Sequence, residues 1–312
     1  MQWTHHDLCR LHKDLPTAEP YGESWDISDH ASHSSVVVSG PFAGLTLHDL
    51  VTRHGGDLLG SAAKDNDRFP WLVKHLDAHD WLSVQVHPDD AVASKLRPGE
   101  RGKTEVWFIL HAEPGSRVFA GLRPGTNEQA LRAALARGTV AECLHSFQTR
   151  AGDCVFFPAG TVHAVGGGVL MAEIQQTSDV TFRLFDWNRL DNHGKSRTLH
   201  IEEALASIHW DKGPVTPVPA NGFEEPVSAS RPELLAECRY FRLEIWRQDG
   251  AFVVGGGDRL QLLLPVKGAG TMLTPYGPGA LVPGQPWLLP ATCPCLQCTT
   301  DQGIAYLLCS LP

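Results

Sequence analysis

Cysteine is sparse in this chain: eight in 312 residues, too few for a disulfide-stapled scaffold. Positive charge is short as well. Lysine and arginine number 26 against 35 aspartates and glutamates, a formal net charge of −9. That balance argues against nucleic acid or an anionic membrane as a general partner, and leaves room only for a small anion held by a local basic cluster. No apolar run approaches the roughly 20 residues of a membrane span. The opening residues, MQWTHHDLCR, show no basic stretch followed by an apolar one, so no secretory signal is expected and the cytoplasm is the expected location. Histidine is missing altogether after His209. Any imidazole chemistry must lie before that point.

What is present is ordinary globular material, 42% hydrophobic and 20% charged. From Phe69 onward the pattern is one of short strands between Pro/Gly turns. They are expected near 71–77, 81–87, 104–111, 116–121, 153–157, 168–175 and 180–186. Ser35 to Ser39 reads as a further short strand, and Thr46 to Arg53 as a short helix capped by Thr46. Helices are also expected over about 127–137, stopped by Gly138, and over about 199–208. The segment Asp211 to Gly222, with three prolines and two glycines, reads as a linker. Strands then resume near 237–248, 251–254, 259–265, 269–274, 286–289 and 303–309. The expected fold class is mainly β: two jelly-roll-like barrel domains, 1–210 and 211–312, with a few short helices.

An internal echo supports two related halves. Residues 151–159 read AGDCVFFPA and residues 283–291 read PGQPWLLPA. Four residues past the first Pro-Ala stands His163; four past the second stands Cys295. The second half therefore cannot build the first half's imidazole site, and is expected to be structural or to cap a substrate.

The most informative stretch is Trp81 to Asp90. Leu82, Val84 and Val86 alternate with Ser83, Gln85 and His87, so a strand here puts a hydroxyl, an amide and an imidazole on one face. Lys103 and Glu105 are two apart on the next strand, and His163 follows a tight Pro-Ala-Gly turn. Gln85, His87, Glu105 and His163 are two nitrogen and two oxygen donors of a kind that suits a borderline metal such as Zn²⁺. Taken by itself, His87, Glu105 and His163 is also a two-His-one-carboxylate set that suits Fe(II). Two other groupings read as less informative. His5, His6, His12, His30, His33 and His48 lack paired spacing with carboxylates and are expected at the surface. Cys293, Cys295 and Cys298, with Cys309 beyond, have a spacing open to zinc but read equally as small apolar residues of a terminal strand and turn.

These motifs resemble the short bacterial type I mannose-6-phosphate isomerases, a family of the cupin superfamily. The resemblance rests on Ser83-Val84-Gln85-Val86-His87-Pro88-Asp89-Asp90, Gly102-Lys103-Thr104-Glu105, Pro158-Ala159-Gly160-Thr161-Val162-His163-Ala164 and Glu173-Ile174-Gln175-Gln176, then Ser178-Asp179 and Thr181-Phe182-Arg183. Phe69-Pro70-Trp71-Leu72-Val73-Lys74 and Gly22-Glu23-Ser24-Trp25 fit as well. It spans about residues 20 to 200, in order. It implies zinc held by Gln85, His87, Glu105 and His163. It implies Arg183 as a catalytic residue and puts Lys74, Ser83, Lys103 and Glu173 in the active site. The implied substrate is a small-molecule sugar phosphate and the implied reaction an aldose–ketose isomerisation through an enediol. Glu173 and Lys103 are the candidate proton carriers, Lys103 on condition that neighbouring positive charge lowers its pKa. Ser83 and Lys74 are expected to bind substrate. Phe108, Phe182 and Phe185 depart from the family, which usually has tyrosine at these places. A metal-dependent cupin oxygenase and a non-catalytic sugar-binding cupin are the competing readings.

Overall fold

The computed structural model describes the chain apart from residues 1–10, 12, 14–20, 39, 191–192 and 228–231. His5, His6 and His12 lie outside the described residues. Two compact units are present, and they do not follow the order of the chain. One is built on Leu76–Val218; the other joins Ser24–His75 to Pro219–Pro312. Division at residue 210 treats the chain as two successive pieces, whereas this grouping is discontinuous. The proline-rich segment after Trp210 is not a free tether. Val215 donates its N–H to the Ala120 carbonyl at 3.0 Å and packs on the first unit's core.

The first unit contains a five-stranded antiparallel sheet in the order Phe182–Phe185, Val84–Val86, His163–Val165, Arg117–Leu122, Leu144–Gln148. A second run pairs Val169–Gln176, Glu105–Ala112 and Asp153–Phe157. Trp107, Ile109, Val155, Phe157 and Met171 from this run meet Val118, Ala120 and Val165 from the five-stranded sheet in one buried cluster. The other face of the five-stranded sheet carries Val84, Val86, Phe119, Ala164 and Phe182, packed with Leu131 and Ala134 of one helix and Ala204 and Leu205 of another. Period-two alternation thus sends the valines of Val84–Val86 towards the helices and Gln85 towards the opposite face.

The helix Glu128–Arg137 has Asn127 as N-cap, accepting from the Ala130 N–H at 2.9 Å, and ends at Gly138 in the left-handed conformation. Arg132 on this helix grips Glu202 of the helix Ile201–Ser207 with two 2.7 Å bonds. Elements beyond the sequence expectation include the helix Asp90–Leu96 and the strands Leu144–Gln148 and His163–Val165. Of the expected strand at 35–39, Ser39 lies outside the described residues and the rest forms one bridge, Val36 to Thr46, with Val38 93% exposed. Val37 does exchange backbone bonds with Leu45 and Gly44, both at 2.9 Å, but the chain turns back at once and the pairing is too short to extend into a strand.

The second unit's sheet runs Glu233–Glu237, Arg242–Val254, Leu296–Ser310, Gln261–Gly268, Trp287–Leu289. The hairpin Gly270–Thr274 and Gly277–Leu281 joins it through Leu296–Ser310. Two expected strands merge into Arg242–Val254, whose register shifts between Gln248 and Gly250. A bulge lets one strand bend round a barrel where a straight one would leave it. Its core gathers Phe252, Leu263, Met272, Leu289, Cys298, Ile304 and Tyr306. The helix Leu47–Leu59 begins with a reciprocal capping box between Thr46 and Asp49, and is longer than expected.

The echoed sequence is an echo in structure. Asp153 N–H bonds back to the Arg150 carbonyl and Gln285 N–H to the Val282 carbonyl, both at 3.2 Å. After each short strand, a second turn closes from Thr161 to Pro158 and from Cys293 to Pro290. Gly152 and Gly284 sit at matching places with φ of 87° and 80°, a conformation costly for any residue with a Cβ.

Candidate metal centre and active site

Gln85 lies opposite both His163 and Arg183 on neighbouring strands, and Glu105 lies opposite Gln175. Two glycines permit the local chain path. Gly160, with φ of +84°, donates its N–H to the His87 carbonyl at 2.8 Å, and a Cβ there would stand 2.5 Å from the His209 ring. At Gly102 a Cβ would stand 2.5 Å from the Asp90 backbone nitrogen. The chain can therefore close back on the His87-Pro88-Asp89-Asp90 corner, with the Gly102 N–H on Asp90 Oδ1 at 2.8 Å and the Lys103 N–H on the Pro88 carbonyl at 3.0 Å.

The result is a buried polar centre. His87, Glu105 and His163 are all essentially inaccessible. Their donor atoms lie within 4.8 Å of one another, the one such group of histidine, cysteine and carboxylate among the described residues. His163 Nε2 is 3.1 Å from Glu105 Oε1, and His87 Nε2 is 3.4 Å from Glu105 Oε2. Gln85 Nε2 is 3.3 Å from His163 Nε2, and rotating that amide by half a turn would present its oxygen instead. Each imidazole uses its other nitrogen elsewhere. His87 Nδ1 donates to the Val180 carbonyl at 2.8 Å and His163 Nδ1 to the Thr161 carbonyl at 2.9 Å. A neutral ring so committed turns an Nε2 lone pair inward. Those lone pairs face a carboxylate whose two oxygens receive no hydrogen bond of regular geometry. Acceptors facing acceptors, with each His oriented by a backbone carbonyl, is the arrangement that a divalent cation satisfies. The residues present fit a metal.

Charge at the centre is balanced by Lys103. Its Nζ is 2.8 Å from Glu105 Oε2, 3.3 Å from Glu173 Oε1 and 3.3 Å from His87 Nε2. Burial alone would lower the Lys103 pKa, but Glu105 and Glu173 outweigh it and push the pKa up. The condition for Lys103 as a base is thus reversed: its tip meets two carboxylates, which hold it charged. Burial, then the charge of Lys103, lowers the His87 pKa to about 4, so its ring is neutral at ordinary pH. Burial would raise the Glu105 pKa; Lys103, His87 and His163 together drive it well below the usual carboxylate range.

Arg183 is half-buried, donates Nε to Ser83 Oγ at 3.3 Å and one terminal N–H to the Thr198 carbonyl at 2.9 Å. Burial and then the charge of Arg197 lower its pKa. Asp186, a possible brace for it, is instead gripped by Arg189 and Arg197. Arg183 is therefore held by neutral oxygens. Lys74 belongs to the other unit, where it is buried with Nζ 4.7 Å over the Trp25 ring. Phe182 and Phe185 belong to the helix-side core and Phe108 is 1% exposed. Among the cysteines, Cys298 and Cys309 are core residues, Cys293 is half-buried and Cys295 exposed.

Sequence reasoning missed the Val180 and Thr161 carbonyls, since backbone acceptors leave no mark in residue type. It also assigned no part to Gln175 and Gln176. Gln175 is wholly buried opposite Glu105, and its Oε1 has no hydrogen-bond partner among the described residues. Gln176 Oε1 accepts from the Thr104 N–H at 2.9 Å and its amide nitrogen reaches Asp90 Oδ1 at 3.1 Å, tying together the segments that carry Glu105 and His87. Period-two alternation within Glu173-Ile174-Gln175-Gln176 would have placed Gln175 on the face of Glu173.

A β-barrel with a buried His/Glu/His group inside it is a cupin with the makings of a metal centre. Comparison with known proteins narrows the class. Residues 8–103 match the family described as phosphomannose isomerase type I, catalytic domain. A mannose-6-phosphate isomerase of Streptococcus mutans is 36% identical over 283 residues, covering 89% of this chain and 85% of that protein. One from Bacillus subtilis is 36% identical over 273 residues, covering 83% of this chain and 84% of that protein. The crystal structure of the mannose 6-phosphate isomerase from Bacillus subtilis superposes with a TM-score of 0.85 at 28% identity, covering 99% of this chain and 96% of that one. The chain belongs to the type I mannose-6-phosphate isomerase family, an aldose–ketose isomerase family with the cupin fold.

Proposed function

We propose that this protein interconverts mannose 6-phosphate and fructose 6-phosphate, with zinc held by Gln85, His87, Glu105 and His163. The observation that carries the reading is the inward-facing pair of Nε2 lone pairs opposed to the Glu105 carboxylate, combined with membership of the family. Bound zinc supplies Lewis acidity towards the sugar oxygens and favours ionisation beside them.

The remaining work falls to side chains of the chain itself. A proton must leave C2 of the aldose and one must return at C1, through an enediol. Glu173 is the base in this reading: a buried carboxylate 3.3 Å from Lys103 Nζ. Lys103, kept charged by Glu105 and Glu173, opposes the negative charge that develops on the enediolate oxygens. Arg183, held by Ser83 Oγ and the Thr198 carbonyl, adds a fixed positive charge and a two-point grip suited to an oxyanion or phosphate. Ser83 and Lys74 take substrate-binding parts, Lys74 through its match to the family motif. A cytoplasmic location accords with a charged phosphorylated substrate.

A coupled assay for fructose 6-phosphate formation from mannose 6-phosphate, run before and after chelation and again after zinc return, tests this reading. Turnover that falls on chelation and returns with zinc is expected. A fully zinc-loaded enzyme without turnover would refute it.

A further inference from the structure

The second unit repeats the first unit's strand pairing around one position. Glu105 lies opposite Phe157 on one neighbour and Gln175 on the other. Gln261 lies opposite Leu289 on one neighbour and Ser310 on the other, and Leu289 and Phe157 occupy matching places in the echoed sequence. Gln261 thus stands in the C-terminal barrel where the carboxylate of the metal group stands in the first. Its neighbours offer no imidazole, so the position has lost metal chemistry. It has not been filled.

A cavity of about 450 Å³ opens there, its walls including Arg242, Glu244, Trp246, Arg259, Gln261 and Ser310. That is the size of a small-molecule site. Three of the walls are fixed in advance. Glu244 accepts from Arg242 Nε at 3.1 Å and from its terminal nitrogen at 2.7 Å. The other Glu244 oxygen accepts from Trp246 Nε1 at 3.2 Å. The indole also lies parallel to the Tyr306 ring, 6.4 Å between centroids and 3° between planes. Arg259 differs from these: it is exposed and makes no hydrogen bond or ion pair with any described residue. In an acidic chain, the mouth of a polar cavity carries a guanidinium without a local counter-charge in contact.

We propose that this cavity is a binding site for a phosphorylated sugar, separate from the His87–Glu105–His163 centre. Arg259 takes the phosphate, for which a planar fork of N–H donors is suited. The Gln261 amide, the Ser310 hydroxyl and the Glu244 carboxylate supply donors and acceptors for sugar hydroxyls, and the Trp246 ring offers an apolar edge to the C–H face. The bound sugar is not turned over, because the metal-group carboxylate is replaced by an amide and no histidine is at hand.

Equilibrium dialysis of radiolabelled fructose 6-phosphate against the zinc-loaded full chain tests the proposal by stoichiometry. Two equivalents per chain are expected for the wild type. Arg259→Ala should weaken one of them about tenfold or more while leaving the other, and His163→Ala should affect only that other. Arg259→Lys, which keeps the charge, should retain part of the lost affinity. One equivalent in the wild type, or two unchanged equivalents in Arg259→Ala, would overturn the proposal. So would inorganic phosphate that displaces the Arg259-dependent equivalent as effectively as the sugar phosphate does. A chain that binds through Arg259 but fails the isomerase assay would sustain this site and remove the proposed activity.

Discussion

His163 Nε2 and Glu105 Oε1 stand 3.1 Å apart in a buried interior, the histidine having already committed its other nitrogen to the Thr161 carbonyl. Two acceptors at that distance repel unless a positive charge lies among them. Lys103 reaches Glu105 from one side only, through Oε2. The centre is therefore expected to be least stable when stripped of metal. Zinc added to chelated protein should raise its melting temperature, by the equivalent of about 4 kcal/mol at a thousand-fold excess over Kd. His163→Ala should abolish most of that rise. A melting temperature indifferent to zinc in the wild type would contradict the assignment.

Acid should act on the metal-free protein through His87. Its folded pKa is lowered to about 4, against about 6.5 for the unfolded chain. Between these values the unfolded state carries the extra proton, so stability falls as pH drops through the window and is level below it. The loss attributable to His87 is on the order of 3 kcal/mol. Urea unfolding of chelated wild type and His87→Gln at pH 7 and pH 4.5 would measure it, the variant lacking that share of the decline. Equal declines in both would rule out the His87 contribution.

Lys103 is the neutralising charge between Glu105 and Glu173. Lys103→Met should cost about 3–5 kcal/mol in the metal-free protein, as expected when one partner of a buried pair is removed. The cost should shrink once zinc is bound, since the metal compensates Glu105. Thermal melts with and without zinc give the comparison; an equal loss in both states would argue that Lys103 acts by packing alone.

Arg183 makes no contact with the Glu105 group in the hydrogen bonds it forms, which go to Ser83 and Thr198. Arg183→Ala is accordingly expected to keep full zinc content while kcat falls about 10²–10⁴-fold. Metal analysis alongside steady-state kinetics separates the two. A change confined to KM would instead assign Arg183 to substrate binding.

At Gly102 the obstacle to a side chain is backbone, 2.5 Å from the missing Cβ. Gly102→Ala should cost about 1–3 kcal/mol and should also lower kcat, since the displaced segment carries Lys103 and leads to Glu105. Unfolding midpoints and turnover should fall together; a neutral substitution would show that this corner yields.

Much of this was legible in residue order. Alternation at Ser83, Gln85 and His87, the Lys103/Glu105 pair and the turn before His163 marked the candidate donors, and Pro/Gly punctuation marked a mainly β fold. Short elements escaped. His163–Val165 is three residues long, too short for a period to declare itself, and Asp90–Leu96, capped by Asp89, is a helix of only seven residues. The valines at 36–38 showed the opposite error: they pair with the segment 44–47 through one bridge, and the turn between them comes too soon for the pairing to lengthen.

The order of residues by itself determined which chemistry was available: four candidate metal donors before His209, an excess of acidic over basic residues and a turn signature used twice. Tertiary structure decided what those residues became. Only folding could show that the Val180 and Thr161 carbonyls choose the imidazole tautomers and that two carboxylates keep Lys103 charged. Only folding could set Gln261 at the place that Glu105 occupies in the first barrel. Each of these depends on atoms brought together across long stretches of chain, and on burial strong enough to make their charges count.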